Sequence, residues 1–300
     1  MRGYKNCGGN IEEMIRFGVA GNSLSFYGEG HAHTVEAAEW CRGRGIDVFE
    51  YSFGKGVRMT EKTAGEIGAA FSASGVELSV HAPYYINFAN PDAEKINNSI
   101  NYVLQSLSKL RELHNGERVV FHPAAQGNAG REEAVKTAYT NIEKLAVAIA
   151  ENGYGDKKIC IETMGKIAQI GTVEEVVSFC GIAPFFYPCI DFGHVNARTF
   201  GSLKTEDDFR KIIDTLFDKL PPEKVINAHI HFSKIMYGKG GEVRHLTFAD
   251  TEYGPDFSPL AKVIADYGLQ PVIICESDGT QAEDAVVMKN IYFGELARRI

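Results

Sequence analysis

The chain has 300 residues, 44% hydrophobic and 23% charged, an ordinary globular balance. Its formal net charge of −8 argues against a protein held to nucleic acid by bulk electrostatics, although a local basic groove stays open. No apolar run approaches the roughly 18 residues of a membrane span, and the opening "MRGYKNCGGNIEEM" has no apolar signal-peptide core, so a cytoplasmic protein without membrane association is expected.

After a lead-in at 1–14, short β-rich runs alternate with longer helical patterns. The first strand is expected at "IRFGVA" (15–20), with a helix at 34–44. "IDVFEYS" (46–52) precedes a helix at 60–74, and "VELSVH" (76–81) one at 92–115. "ERVVFH" (117–122) leads to a helix at 131–152, where Val135, Ala138, Ile142, Leu145 and Ile149 recur at three and four residues. "KKICIE" (157–162) precedes a helix at 172–180, opened by Thr172 with Glu175 three residues on, a capping-box pattern. Pro91-Asp92 and Lys204-Thr205 look like similar starts. "FFYPCID" (185–191) leads to a helix at 205–219, "KVINAHIH" (224–231) to one at 257–267, and "PVIICE" (271–276) to a last one at about 281–298.

Eight strands, each followed by a helix, predict a closed parallel (β/α)8 TIM barrel forming one domain over 1–300, ahead of an open doubly wound sheet. The Gly-rich stretch "GKGGE" (238–242) lies in a late loop without strand–helix context, so no nucleotide cofactor is expected. The six cysteines (Cys7, Cys41, Cys160, Cys180, Cys189, Cys275) form no Cys-x-x-Cys pair and are read as reduced.

In such a barrel the C-terminal ends of the strands share one mouth. Strand three ends on His81, strand four on His122, strand five on Glu162, and strand six on Asp191 with His194 three residues later. Strand seven carries His229 and His231, the following loop His245, and strand eight ends on Glu276. Six of the nine histidines thus fall at one rim with three carboxylates between them. Unpaired, these groups would cost several kcal/mol each through repulsion and desolvation. Divalent cations remove that cost, and imidazole with carboxylate suits zinc, manganese or iron better than magnesium. A zinc takes about three or four protein ligands, and eight or more donors suggest at least two ions bridged by Glu162. Two ions about 4 Å apart form a clamp for phosphodiester chemistry. Glu162 and Glu276 are the candidate catalytic carboxylates. His31 and His33 fit a helix-start surface position, and His114 an exposed helix end.

These stretches, with "HAPYYINFAN" (81–90), "VVFHPAAQGN" (119–128), "IETMGKIAQIGTVEEV" (161–176), "CIDFGHVNA" (189–197), "HIHFSK" (229–234) and "ICESDG" (274–279), resemble the endonuclease IV family of apurinic/apyrimidinic endonucleases, within the xylose-isomerase-like barrels. The resemblance runs from about residue 15 to 295. It implies cleavage of double-stranded DNA on the 5′ side of an abasic site by a monomer with a trinuclear zinc cluster. It implies one metal on His81, His122 and Glu162, a second on Glu162, Asp191, His229 and Glu276, and a third on His194 and His245. It also implies DNA contacts from Tyr84, Tyr85, Arg58 (with Lys55 nearby) and Lys234. Three departures cluster together. Val243 stands where the family has a metal-binding aspartate, leaving Glu242 or His231 as substitutes, so two or three ions are expected. Phe232 replaces an aspartate, and "TFADTEYGPDF" (247–257) replaces a short turn.

The competing reading is a sugar isomerase or epimerase of the same superfamily, favoured by the net charge and the altered 240–254 loop. One metal on Glu162, Asp191, His229 and Glu276 would then suffice, with His81 and His122 binding substrate hydroxyls. A barrel that binds metal but has lost catalysis is the third alternative.

Overall fold

Eight strands carry the architecture of the computed structural model, which describes residues 15–299. They are β1 (Arg16–Ala20), β2 (Val48–Ser52), β3 (Glu77–His81), β4 (Gly116–Phe121), β5 (Lys158–Glu162), β6 (Phe186–Asp191), β7 (His229–Phe232) and β8 (Val272–Cys275). Each pairs in parallel with the next, and β8 pairs with β1, so the sheet closes into the (β/α)8 barrel expected from the sequence. The lead-in at 1–14, with Cys7, lies outside the described residues. The other five cysteines are free and buried. Among the described residues no helix is long and apolar enough to cross a membrane.

A closed parallel sheet covered by helices buries both faces of every strand. Side chains alternate along a strand. One set, including Phe17, Phe49, Val80, Phe121, Ile161 and Ile230, joins the large core beneath the helices. The other set fills the barrel. Val120, Cys160, Tyr187 and Cys189 form one small inner cluster, and Val48, Val272 and Ile274 another. Space there is tight: a Cβ on Gly18 of β1 would sit 2.5 Å from the carbonyl oxygen of Val48. The interior is also polar. Glu50, Ser79, Arg118, His229 and His231 are each no more than 1% exposed.

Helix starts follow the caps read from sequence. Thr172 and Glu175 form a capping box, as do Thr205 and Asp208, and the Asp92 side chain accepts from the Glu94 amide. The seventh strand departs from expectation at its start. Residues Pro222–Ile226 form a short helix, because the Pro221-Pro222 pair presets the first turn. The Lys224 ammonium there donates to the carbonyls of Cys180 and Ala183, both at 2.8 Å. A helix at Phe192–Arg198 and a hairpin of Ile235–Gly238 with Gly241–His245 stand where loops were expected.

Candidate metal centre

The strand ends meet at one mouth, and three groups of donors form there, while a fourth, Cys189, His229 and His231, lies in the barrel interior and shares His231 with the mouth. In the first, Nε2 of His81 at the end of β3 and Nε2 of His122 just past β4 each lie 3.1 Å from Oε2 of Glu162, the last residue of β5. Nδ1 of His81 lies 2.8 Å from the Ala82 carbonyl. A carbonyl only accepts, so Nδ1 carries the proton and the Nε2 lone pair faces the carboxylate.

The second group is Glu162, Asp191, His231 and Glu276. Asp191 ends β6 and caps the helix that follows. Its Oδ1 accepts from the His194 amide at 2.7 Å, which leaves Oδ2 directed elsewhere. Nδ1 of His231 lies 3.4 Å from Oε1 of both Glu162 and Glu276. Here the structure corrects the sequence reading, which placed His229 in this group. His229 and His231 share the inward face of β7, two residues apart. That spacing puts His229 one layer lower, about 6–7 Å down the strand. Nε2 of His229 there lies 3.1 Å from Glu50 Oε2.

The third group is His194, Glu242 and His245. Nδ1 of His194 lies 3.0 Å from the Thr163 carbonyl and therefore carries the proton, while Nε2 lies 3.4 Å from Glu242 Oε2. Glu242 fills the role that Val243 cannot. In a regular strand residues 243 and 245 would share a face. The hairpin register shifts between Met236 and Tyr237, so Tyr237 pairs with Glu242 while Met236 pairs with Arg244. The extra residue, Val243, is 56% exposed. The shift brings Glu242 onto the face of His245. Gly165 makes room for it: a Cβ there would meet Glu242 Cβ at 2.7 Å and His194 Cδ2 at 2.9 Å.

The protonation pattern follows from crowding. Burial alone would raise Glu162, but the imidazoles of His122 and His231 outweigh it and hold the carboxyl well below its usual range. Burial, reinforced by Asp191 and Glu162, pushes Glu276 up to about 8. Burial opposes charge on His194 and His231 too, yet surrounding acidic groups, Asp191 foremost for His194 and Glu276, Glu50 and Glu162 for His231, raise both well above the ordinary value, while burial keeps the adjacent Cys189 thiol neutral and pushed well above its own usual range. Burial lowers His229 to about 4.

Whether this donor set fits an ion is answered by its orphaned atoms. Oε1 of Glu162, Oδ2 of Asp191 and Nδ1 of His231 are all buried without a hydrogen-bond partner. Native interiors rarely leave such atoms unpaired. Three of them converge in one four-residue group, where a cation would be bound by imidazole and carboxylate together.

The remaining candidate residues divide. Tyr84 is 56% exposed, and its ring stacks on His122 at 5.3 Å between centroids. Tyr85 is 59% exposed and leans on Tyr102. Arg58 is exposed and lines, with Lys55 and Ser52, a depression of about 380 Å³ beside the mouth. Lys234 is otherwise engaged: its ammonium donates to the Asp250 carbonyl at 2.6 Å and lies 3.3 Å from Asp256, so it is not the free basic contact expected. His31 pairs with Glu36 at 3.3 Å and His114 is an exposed helix end, both away from these groups. The sequence reading missed Glu50 altogether. Its signal was a carboxylate in the middle of an apolar run, at the inward parity of β2.

A family described as xylose isomerase-like TIM barrel matches residues 38–291. An uncharacterised protein of Methanocaldococcus jannaschii is 30% identical over 93% of this chain and 98% of its own length. A protein named "Probable endonuclease 4" from Exiguobacterium sibiricum is 26% identical over 63% of this chain, a match that spans 61% of that relative. The crystal structure of a D-tagatose 3-epimerase-like protein superposes with a TM-score of 0.70 at 19% identity, covering 95% of this chain and 98% of the other.

Proposed function

The chain belongs to the xylose isomerase-like TIM barrel family, and from that premise we propose that it is a zinc-dependent phosphodiesterase that cleaves DNA 5′ to abasic sites, in the manner of endonuclease IV. One observation carries this reading. Three donor groups gather around Glu162: it belongs to two of them, and its Oε1 lies 3.2 Å from His194 of the third. Glu242 completes that third group. A clamp for a phosphodiester uses several cations at once, and an arrangement built for one ion has no need of His81, His122, His194 and His245 together.

His81, His122 and Glu162 would hold one ion, Glu162, Asp191, His231 and Glu276 a second, and His194, Glu242 and His245 a third. When bound, such ions supply Lewis acidity toward phosphate oxygens and a nucleophilic water at neutral pH. The side chains do the rest. Glu162, kept ionised, orients the attacking water or accepts its proton. Tyr84 and Tyr85, exposed at the mouth, offer faces on which unstacked bases rest. Lys55 and Arg58, with exposed Lys166, Lys239 and Arg244, put local positive charge around the mouth of a chain whose net charge is −8.

A second reading, a sugar epimerase or isomerase, has its own observation. Glu162 and Glu276 flank one group with opposite proton affinities, one held low and the other near 8. Such a pair suits removing a proton from one side of a carbon and returning it from the other. A cleavage assay on a duplex with one abasic analogue separates the two. Metal-dependent incision on the 5′ side supports the nuclease. An intact duplex under full metal loading, with epimerisation of ketohexoses, overturns it in favour of the second reading.

A further inference from the structure

We propose that the barrel interior holds a cation site of its own, formed by Cys189 and His229 one layer below the mouth with His231 above them, and that it takes a thiophilic cation such as zinc. Cys189 and His229 belong to none of the three groups at the mouth, and the inference does not depend on which reaction the mouth performs.

The layering follows from strand register. In the pairing of β6 with β7, Cys189 lies opposite His229 and Asp191 opposite His231. Side chains alternate along a strand, so all four share the inward face, in two rungs. The upper rung, Asp191 and His231, belongs to the mouth. The lower rung sets a thiol beside an imidazole. The ligating atoms of Cys189, His229 and His231 all lie within 4.8 Å of one another, and all three residues are 0% exposed.

Both nitrogens of His229 and both of His231 are buried without a hydrogen-bond partner, as is Oε1 of Glu50 on β2. Native interiors rarely leave such atoms unpaired, so a gap this wide calls for a ligand. The chemistry of the lining selects a cation. Glu50 brings a carboxylate to 3.1 Å from Nε2 of His229 and 3.0 Å from Nε2 of His231, and a buried carboxylate is costly without opposite charge near it. Arg118, also in the interior, is engaged at the far end of the barrel, where it donates to the Asn227 carbonyl at 2.9 Å. Thiol with imidazole selects zinc over magnesium, calcium or manganese. Coordination displaces the thiol proton. The three groups at the mouth offer only nitrogen and oxygen, so a sulfur ligand marks the interior site alone.

The test is cobalt loading of the full chain, with Cys189→Ser and His229→Ala alongside. Cobalt is a coloured stand-in for zinc, and it is supplied during expression as well as in titration because the three donors are buried. A near-ultraviolet charge-transfer band from sulfur to cobalt is expected in the wild type, at about one sulfur-bound ion per chain, and excess zinc should remove it. Cys189→Ser should lose this band while keeping the visible bands of cobalt held at the mouth, and His229→Ala should lose it too. Visible bands without the sulfur band in the wild type overturn the proposal. So does a sulfur band that survives Cys189→Ser, since it comes from another cysteine. A sulfur band in the wild type with no visible bands left in Cys189→Ser supports the interior site and overturns the metal-binding reading of the mouth. Anomalous scattering at the cobalt edge from wild-type crystals needs no substitution and covers variants that do not fold. A cobalt peak between Cys189 and His229 supports the site, and density there without a cobalt signal overturns it.

Discussion

His229 and His231 are two residues apart, and sequence resemblance alone chose the wrong one for the four-donor group. Replacing each by alanine separates them. Zinc bound by four protein ligands in small domains contributes about 10–16 kcal/mol, hence about 2.5–4 kcal/mol per ligand. The group here has four donors, Glu162, Asp191, His231 and Glu276. Removing His231 should therefore weaken that ion by about 10²–10³-fold, since each 1.4 kcal/mol is tenfold. Removing His229 should leave the ion in place. It should instead cost stability, because a fully buried ring is lost and Glu50 loses one of its two imidazole partners. Losses of this kind run to about 2–5 kcal/mol. Chelator competition measures the first effect, and calorimetric unfolding of the ion-free proteins the second. Loss of the ion from His229→Ala, with retention in His231→Ala, would refute the assignment and the layer argument beneath it.

Glu242→Ala should remove about one equivalent of bound metal by elemental analysis, whereas Val243→Ala should remove none. Equal loss from both would reject the register shift as the reason for Glu242's place. Gly165→Ala should resemble Glu242→Ala, because its methyl group would occupy the space where Glu242 meets His194. For the ion-free protein, the raised His194 and His231 contribute stability that is present below about pH 6.5 and lost as pH rises through their elevated folded values. The raised carboxyl of Glu276 acts in the same direction, losing stability between its ordinary value and about 8. The lowered His122, His229 and His245 act the other way, gaining stability as pH rises through about 6.5, so the ion-free protein should be less stable at pH 8.5 than at pH 6 by the excess of the raised groups over these three, and saturating zinc should reverse the trend. Thermal scans at both values check this, and an ion-free protein that gains stability toward pH 8.5 would contradict it. Tyr84→Ala combined with Tyr85→Ala should weaken binding to an abasic duplex by about 1–3 kcal/mol per ring while metal content stays constant. Unaltered affinity would reject their role as stacking faces.

The barrel was legible in the sequence because its causes are local. Alternating apolar strands, helices with apolar positions at three and four residues, and caps such as Thr172 with Glu175 each announce themselves within a few residues. Their number and order leave few ways to close a sheet. The rim was legible for the same reason: a strand that ends on His81, Glu162, Asp191 or Glu276 places that residue at the mouth once the strands are parallel. Three other features depend on relations between distant segments. The layer that separates His229 from His231 is set by how far β7 slides against β6 and β8. Glu242 reaches His245's face only through the shifted pairing of the hairpin, and only because residue 165, on another loop, is a glycine. Glu50 meets His231 across the width of the barrel. Side-chain period is a property of one strand and can be read along it. Register, stagger and approach across an interior belong to pairs of strands, and the folded barrel decided them.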